Sequence, residues 1–151
     1  MHQQIRTSPG GTADNIRNVL DILAQAGVNV EGVGPDFEEP HIRTAVPHEH
    51  WDRAWEALDR AHLKPEARPS VTVAVPNKPG QVSPIVEDLV RRGYTLESLL
   101  VLASRDRGLT LVSIGVRETV PAAWATTVDA LGGWSEPPGW TGGDIGEAAA
   151  G

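Results

Sequence analysis

The residues best suited to hold a small molecule run from Val75 to Val82 as Val-Pro-Asn-Lys-Pro-Gly-Gln-Val. Proline pre-sets φ, and glycine lets a backbone approach a ligand with no Cβ in between. A helix is expected directly after this turn. Its unpaired N–H groups and the positive end of its dipole would face whatever the turn encloses, which makes a place for a small carboxylate. Asn77 adds a donor and an acceptor, matching the two charged ends of an amino acid. The simpler reading is a strand-to-helix turn made of good turn residues.

A second group is His41, His48 and His50, with Glu38, Glu39 and Glu49 nearby. A His-x-His pair plus a third His can bind a divalent metal, and a metal-dependent enzyme built on them is one alternative function. However, His48 and His50 fall at an expected strand-to-helix junction, where alternate residues need not converge. Solvated loop side chains are the simpler account. Trp51, Trp55 and Trp124 lie on apolar helix stripes and are read as core. There is no cysteine, which excludes disulfides, thiol nucleophiles and Cys-based zinc sites. Neither a nucleophile-elbow sequence nor a phosphate-cradling loop is present. No catalytic residue, metal site or cofactor is therefore assigned.

The elements that must position these residues are marked by a repeat. Ile16, Val19, Leu20, Leu23 and Gly27 recur, 66 residues later and without a gap, as Val82, Ile85, Val86, Leu89 and Gly93. Apolar residues at i, i+3, i+4 and i+7 make one face of a helix, and the glycine after them supplies its C-terminal stop. In the first copy, Ile5–Ser8 is a poor strand candidate, being short and polar. Helix is expected from Asp14 to Ala26, strand around Val28, Val30 and Val33, and a turn from Pro35 to Pro40. Ile42, Thr44 and Val46 alternate as a returning strand. Trp51, Ala54, Trp55 and Leu58 stripe a helix from about His48 to His62. The second copy repeats this order: strand from Ser70 to Val75, helix from Gln81 to Arg92, then strands Leu96–Ser104 and Leu109–Arg117 flanking the turn Arg105–Gly108. Trp124, Val128 and Leu131 stripe its second helix. Short closing strands are expected near His62–Ala67 and around Gly133-Trp134.

This order is the ferredoxin-like βαββαβ unit, used twice: an α+β fold with antiparallel sheets and helices on one face. The expected boundaries are residues 1–66, 67–134 and a Gly/Pro/Ala-rich disordered tail, 135–151. In the second copy both strand faces are apolar. An antiparallel sheet with water on one side should instead alternate, so the helix-free face is expected to be buried, against copy one or in a homo-oligomer.

Composition narrows the partners. The net charge is −7, and no cluster of Lys/Arg interleaves with aromatics, which argues against a nucleic-acid surface. No apolar run approaches the ~20 residues of a membrane span, and the N-terminus lacks the regions of a signal peptide. A cytoplasmic location is expected.

The run Asn77-Lys78-Pro79-Gly80-Gln81-Val82, with Ile85, Leu89, Gly93 and a strand at Tyr94–Leu96, resembles the ACT domain. Copy one resembles it through Leu20, Leu23, Ala26, Gly27, Val28, Asn29 and Val30. The resemblance spans about residue 4 to residue 134, so the chain looks like a free-standing tandem ACT protein with no catalytic domain. ACT domains are regulatory modules that commonly pair and bind amino acids at the interface. The resemblance implies a ligand loop at Asn77, Pro79, Gly80, Gln81 and Val82, with a contribution from strand residues such as Leu99 of a partner domain. At the gapless offset, Asp14 and Asn15 of copy one align with Gly80 and Gln81. Asp14, where the family prefers glycine, would cap its own helix and repel a carboxylate, or else hold a ligand's amino group. One ligand per chain is the expectation, with copy one chiefly structural. The implied function is non-catalytic binding of a small amino acid or related metabolite by an oligomer or by a protein attached to a metabolic enzyme. The alternative is a ligand-free accessory subunit.

Overall fold

The computed structural model describes residues 3–38, 40–76, 80, 82–102 and 109–121. The strands are β1 (Gln3–Thr7), β2 (Gly32–Pro35), β3 (Ile42–Ala45), β4 (Glu66–Pro76), β5 (Leu96–Leu102) and β6 (Leu109–Val116). The helices are α1 (Ala13–Gln25), α2 (Trp51–Arg60), entered through a 3-10 turn at His48–His50, and α3 (Ser83–Arg91). The expected hairpin tip at Arg105–Gly108, the Trp124 helix, the strand at Gly133-Trp134 and the tail lie outside the described residues.

The strands form one six-stranded sheet in the order β2-β3-β1-β4-β6-β5, every neighbouring pair antiparallel. Two separate sheets were expected; a single strand joins them. β4 runs unbroken where two strands were anticipated, His62–Ala67 and Ser70–Val75. Its residues Glu66–Pro69 pair with β1, and Ser70–Pro76 pair with β6. Pro69, which has no N–H to give a ladder, falls where β4 changes neighbour.

Apolar side chains gather in a cluster under each set of helices. Val19 and Leu23 of α1 and Ala54 and Leu58 of α2 pack on Ile5, Ile42 and Val46. Ile85 and Leu89 of α3 pack on Val71, Val73, Val75, Val112, Ile114 and Val116. The 66-residue repeat carries through to burial: Val19 and Leu23 are buried and Ile16 and Leu20 half-buried, as are Ile85 and Leu89 against Val82 and Val86. A fully buried Leu contributes about 1.5–3 kcal/mol by leaving water.

β1 is a strand despite its polar sequence. Ile5 points at the helices, while Gln4 points to the opposite face and is fully buried there. That helix-free face is the seam of the molecule. The sheet curls about β4 until its edge strands meet: the Phe37 N–H, just past β2, donates to the Glu97 carbonyl at 2.8 Å. Gly32 and Gly34 allow the approach, since a Cβ at either would lie 2.8 Å from the Cδ2 of Leu102 or Leu100. The buried helix-free face expected from the two-faced strands of copy two is thus covered by copy one.

Candidate functional site at the strand-to-helix turns

The three described α-helices end in one way. After α1, Gly27 sits at φ 72°, its N–H donating to the Ala24 carbonyl and the Val28 N–H to the Leu23 carbonyl. After α3, Gly93 sits at φ 92°, with Gly93 N–H on Val90 and Tyr94 N–H on Leu89. This pair of bonds closes the carbonyls that a helix end leaves open, and the positive φ explains the repeated glycine. His62 does the same after α2 at φ 61°.

The helix starts differ. Thr12 is the N-cap of α1, in extended conformation, and its Oγ1 accepts from the Asn15 N–H at 3.2 Å. The expectation that Asp14 caps the helix is corrected: Thr12 holds the cap position, and Asp14 lies two residues on, inside the first turn. Asp14 is exposed and pairs with Arg17 at 3.3 Å, one turn on. The Asn15 side chain donates to the Gly10 carbonyl at 2.8 Å. Gly10 itself is shut in, because a Cβ there would lie 2.6 Å from the Pro40 oxygen. Ser8 is tied on both sides, its N–H to the Leu63 carbonyl at 2.9 Å and its hydroxyl to His41 Nδ1 at 3.1 Å.

At α3, Val82 occupies the cap position and gives no side-chain hydrogen bond. Its carbonyl accepts from the Ile85 and Val86 N–H groups at 3.0 and 3.1 Å. Pro84 in the first turn has no N–H and the Ile85 N–H is taken by the Val82 carbonyl, so among the described residues the N–H groups nearest the helix start are those of Val82 and Ser83. Gly80 takes φ 79°, and nothing described lies within 4 Å of where its Cβ would be. Asn77, Pro79 and Gln81 lie outside the described residues. Val82 and Leu99 pack on the same core as Ile85 and Leu89, so these two assigned residues share one half of the molecule. Leu99 is opposite Ile114 on β6. Asp14 and Asn15 stand at the other turn.

The histidines disperse. His41 meets Ser8, while His50 Nδ1 accepts from the Asn29 N–H at 3.0 Å. Among the described residues no group of three His, Asp or Glu converges as a metal site would require. Several charged residues not singled out as site residues from the sequence are buried instead, Asp36, Arg43, Asp88 and Glu97 among them. Arg43, on the apparently wet side of β3, is fully buried, and Glu97 is 5 % exposed. β5 shifts register between Leu96 and Ser98, a bulge that re-aims Glu97 toward the seam. No local signal marks either residue, since both lie in strands that alternate acceptably without them.

No family model and no curated protein matches the sequence. Solved structures do match in fold. One is a protein of Bacteroides thetaiotaomicron, with a TM-score of 0.59 at 20 % identity over 78 % of this chain and 80 % of that one. Another is the regulatory subunit of aspartate kinase from Thermus thermophilus in its ligand-free form, with a TM-score of 0.52 at 17 % identity over 77 % and 81 % of the two chains. The regulatory subunit of aspartate kinase from Thermus flavus gives 0.51 at 18 %, over 76 % and 82 %. At such identities the likeness is one of α+β fold with an antiparallel sheet. Among the described residues no helix is long and apolar enough to cross a membrane.

Proposed function

We propose that this chain is a non-catalytic regulatory protein of ACT type. Residues 1–66 and 67–134 are its two ACT-like units, and the 77–82 turn with the start of α3 takes the polar ends of a small amino acid or related metabolite. The observation that carries the proposal is the contrast between two equivalent turns. One has its helix start capped by Thr12 and its glycine pressed on Pro40. The other has a valine at the cap and a left-handed Gly80 with no described residue within 4 Å of where a Cβ would be. A carboxylate at residues 80–83 would gain the helix-end donors and dipole that Thr12 and Asp14 already occupy at α1.

The fold likeness to regulatory subunits of aspartate kinase supports the regulatory part of the proposal. Binding regulates only if the ligand prefers one of two states. With no effector domain in the proposed units, those states are oligomeric forms of this chain or its free and enzyme-bound forms. The competing reading, a ligand-free accessory subunit, draws on Val101, which is 64 % exposed on β5.

Thermal unfolding against a panel of amino acids separates the two. A ligand at a hundred times its dissociation constant adds about 2.7 kcal/mol, roughly 5–10 °C for a chain of this size. Gly80→Asp should abolish the shift by filling the open position with a carboxylate. No shift with any amino acid, together with a stably co-purifying enzyme, would favour the accessory subunit.

A further inference from the structure

The seam between the helix-free faces is built unlike either helix-backed core. Its apolar part is small: Ala45, Leu100 and Leu102, with Leu111 packed against them. β2 offers only Gly32 and Gly34 to Leu100 and Leu102, and at Gly115 a Cβ would collide with Ser98 and crowd Gln4 and Arg43. Charge supplies the rest of the contact. Arg43, with no exposed side-chain surface, lies 2.7 Å from Asp36 and 2.9 Å from Glu97. Arg68 of β4 reaches Glu97 at 2.8 Å. Gln4 of β1 accepts from Arg43 Nη1 at 3.3 Å and donates to Ser113 Oγ at 2.9 Å.

We propose that Glu97 is the catch of a latch: the seam opens and closes as a unit while both helix-backed cores stay folded, and the Glu97 charge holds it shut. The inference is independent of whether an amino acid is the ligand. The seam's two cations, Arg43 and Arg68, face two anions, Asp36 and Glu97, so removing the Glu97 charge leaves buried Arg43 with Asp36 alone and half-buried Arg68 without its close carboxylate, a net positive charge in the seam. Such a charge is far costlier to keep than the small apolar contact can offset. The remaining charged groups near Glu97 do not replace it. Arg117 Nε stands 3.8 Å away and adds positive charge, its guanidinium also paired with the exposed Glu38, and Glu66 reaches Arg68 only at 4.0 Å.

Burial pushes the Glu97 carboxyl up, and hydrogen bonds and charge from Arg68 and Arg43 outweigh it, leaving the group below its usual range. A lowered folded value means the latch is fully shut above the ordinary carboxylate range and loosens as pH falls through that lowered value.

Residue-resolved amide hydrogen exchange on the full chain, from neutral pH downward, tests the latch. The Phe37 N–H should lose protection by up to about tenfold per pH unit between the ordinary carboxylate range and the lowered Glu97 value, and level off below it, while amides in α1, α2 and α3 keep theirs. Glu97→Gln should expose the Phe37 amide already at neutral pH, with no further acid dependence. Glu66→Gln, whose partner Arg6 lies outside the cluster, should leave it protected. If seam and helix amides lose protection together at every pH, the latch does not exist. It is equally overturned if Glu97→Gln keeps wild-type protection, or if Glu66→Gln opens the seam as far. Should Glu97→Gln fail to fold, the wild-type series alone decides, separate loss supporting the latch and joint loss refuting it.

Discussion

α1 and α3 close on the same pair of backbone bonds and a left-handed glycine, Gly27 in one case and Gly93 in the other. Their first turns share nothing comparable. Thr12 caps α1, and Gly10 and Ser8 are bound into the surrounding chain. α3 has Val82 at its cap, behind a left-handed Gly80 whose Cβ position no described residue approaches within 4 Å. A helix end that serves only the fold keeps one solution in both copies. A helix start free of that constraint in one copy is available for something else.

The comparison can be broken at its shared part first. Leu23→Ala and Leu89→Ala remove equivalent, fully buried side chains, and each should cost about 2–5 kcal/mol by urea unfolding. Losses differing by more than the range over which such sites relax would mean the halves are not equivalent cores. Next, Gly10→Ala should cost about 1–3 kcal/mol, because the Pro40 backbone cannot give way cheaply. Gly27→Ala and Gly93→Ala should each cost about 1–2 kcal/mol and match one another, as both force a left-handed conformation on a Cβ. The smallest effect sharpens the difference: Thr12→Ala should cost about 1 kcal/mol and raise amide exchange at Asn15 without touching α3.

The helix stripes and their glycine stops were legible because period and punctuation are local properties. So was the burial of the helix-free face of β5 and β6, since Leu100, Leu102 and Leu111 lie there on strands that are apolar on both sides. β1 was not legible. Gln4 and Arg6 look solvated until the opposing half-sheet supplies Ser113 and β4 supplies Glu66. Arg43 and Glu97 were hidden for the same reason, being buried by residues 54 positions apart in the chain. The continuity of β4 was not legible, because it depends on one strand changing neighbours from β1 to β6 at Pro69 and Ser70, which only the folded sheet shows. At the site, the loop's composition pointed to Gly80 and Val82. The cap at Thr12 is not marked by the gapless repeat, which aligns Gly80 with Asp14 and leaves Thr12 opposite Lys78.

The central claim is that one of the two turns binds and the other does not. Backbone amide chemical shifts of the full chain, followed while a panel of amino acids is titrated in, test it most directly. The account predicts saturable shifts at Gly80, Val82 and Ser83, with one ligand per chain and with Gly10, Thr12 and Asn15 unmoved. Shifts centred on Gly10 to Asn15, or no saturable shift at either turn with any amino acid, would contradict it.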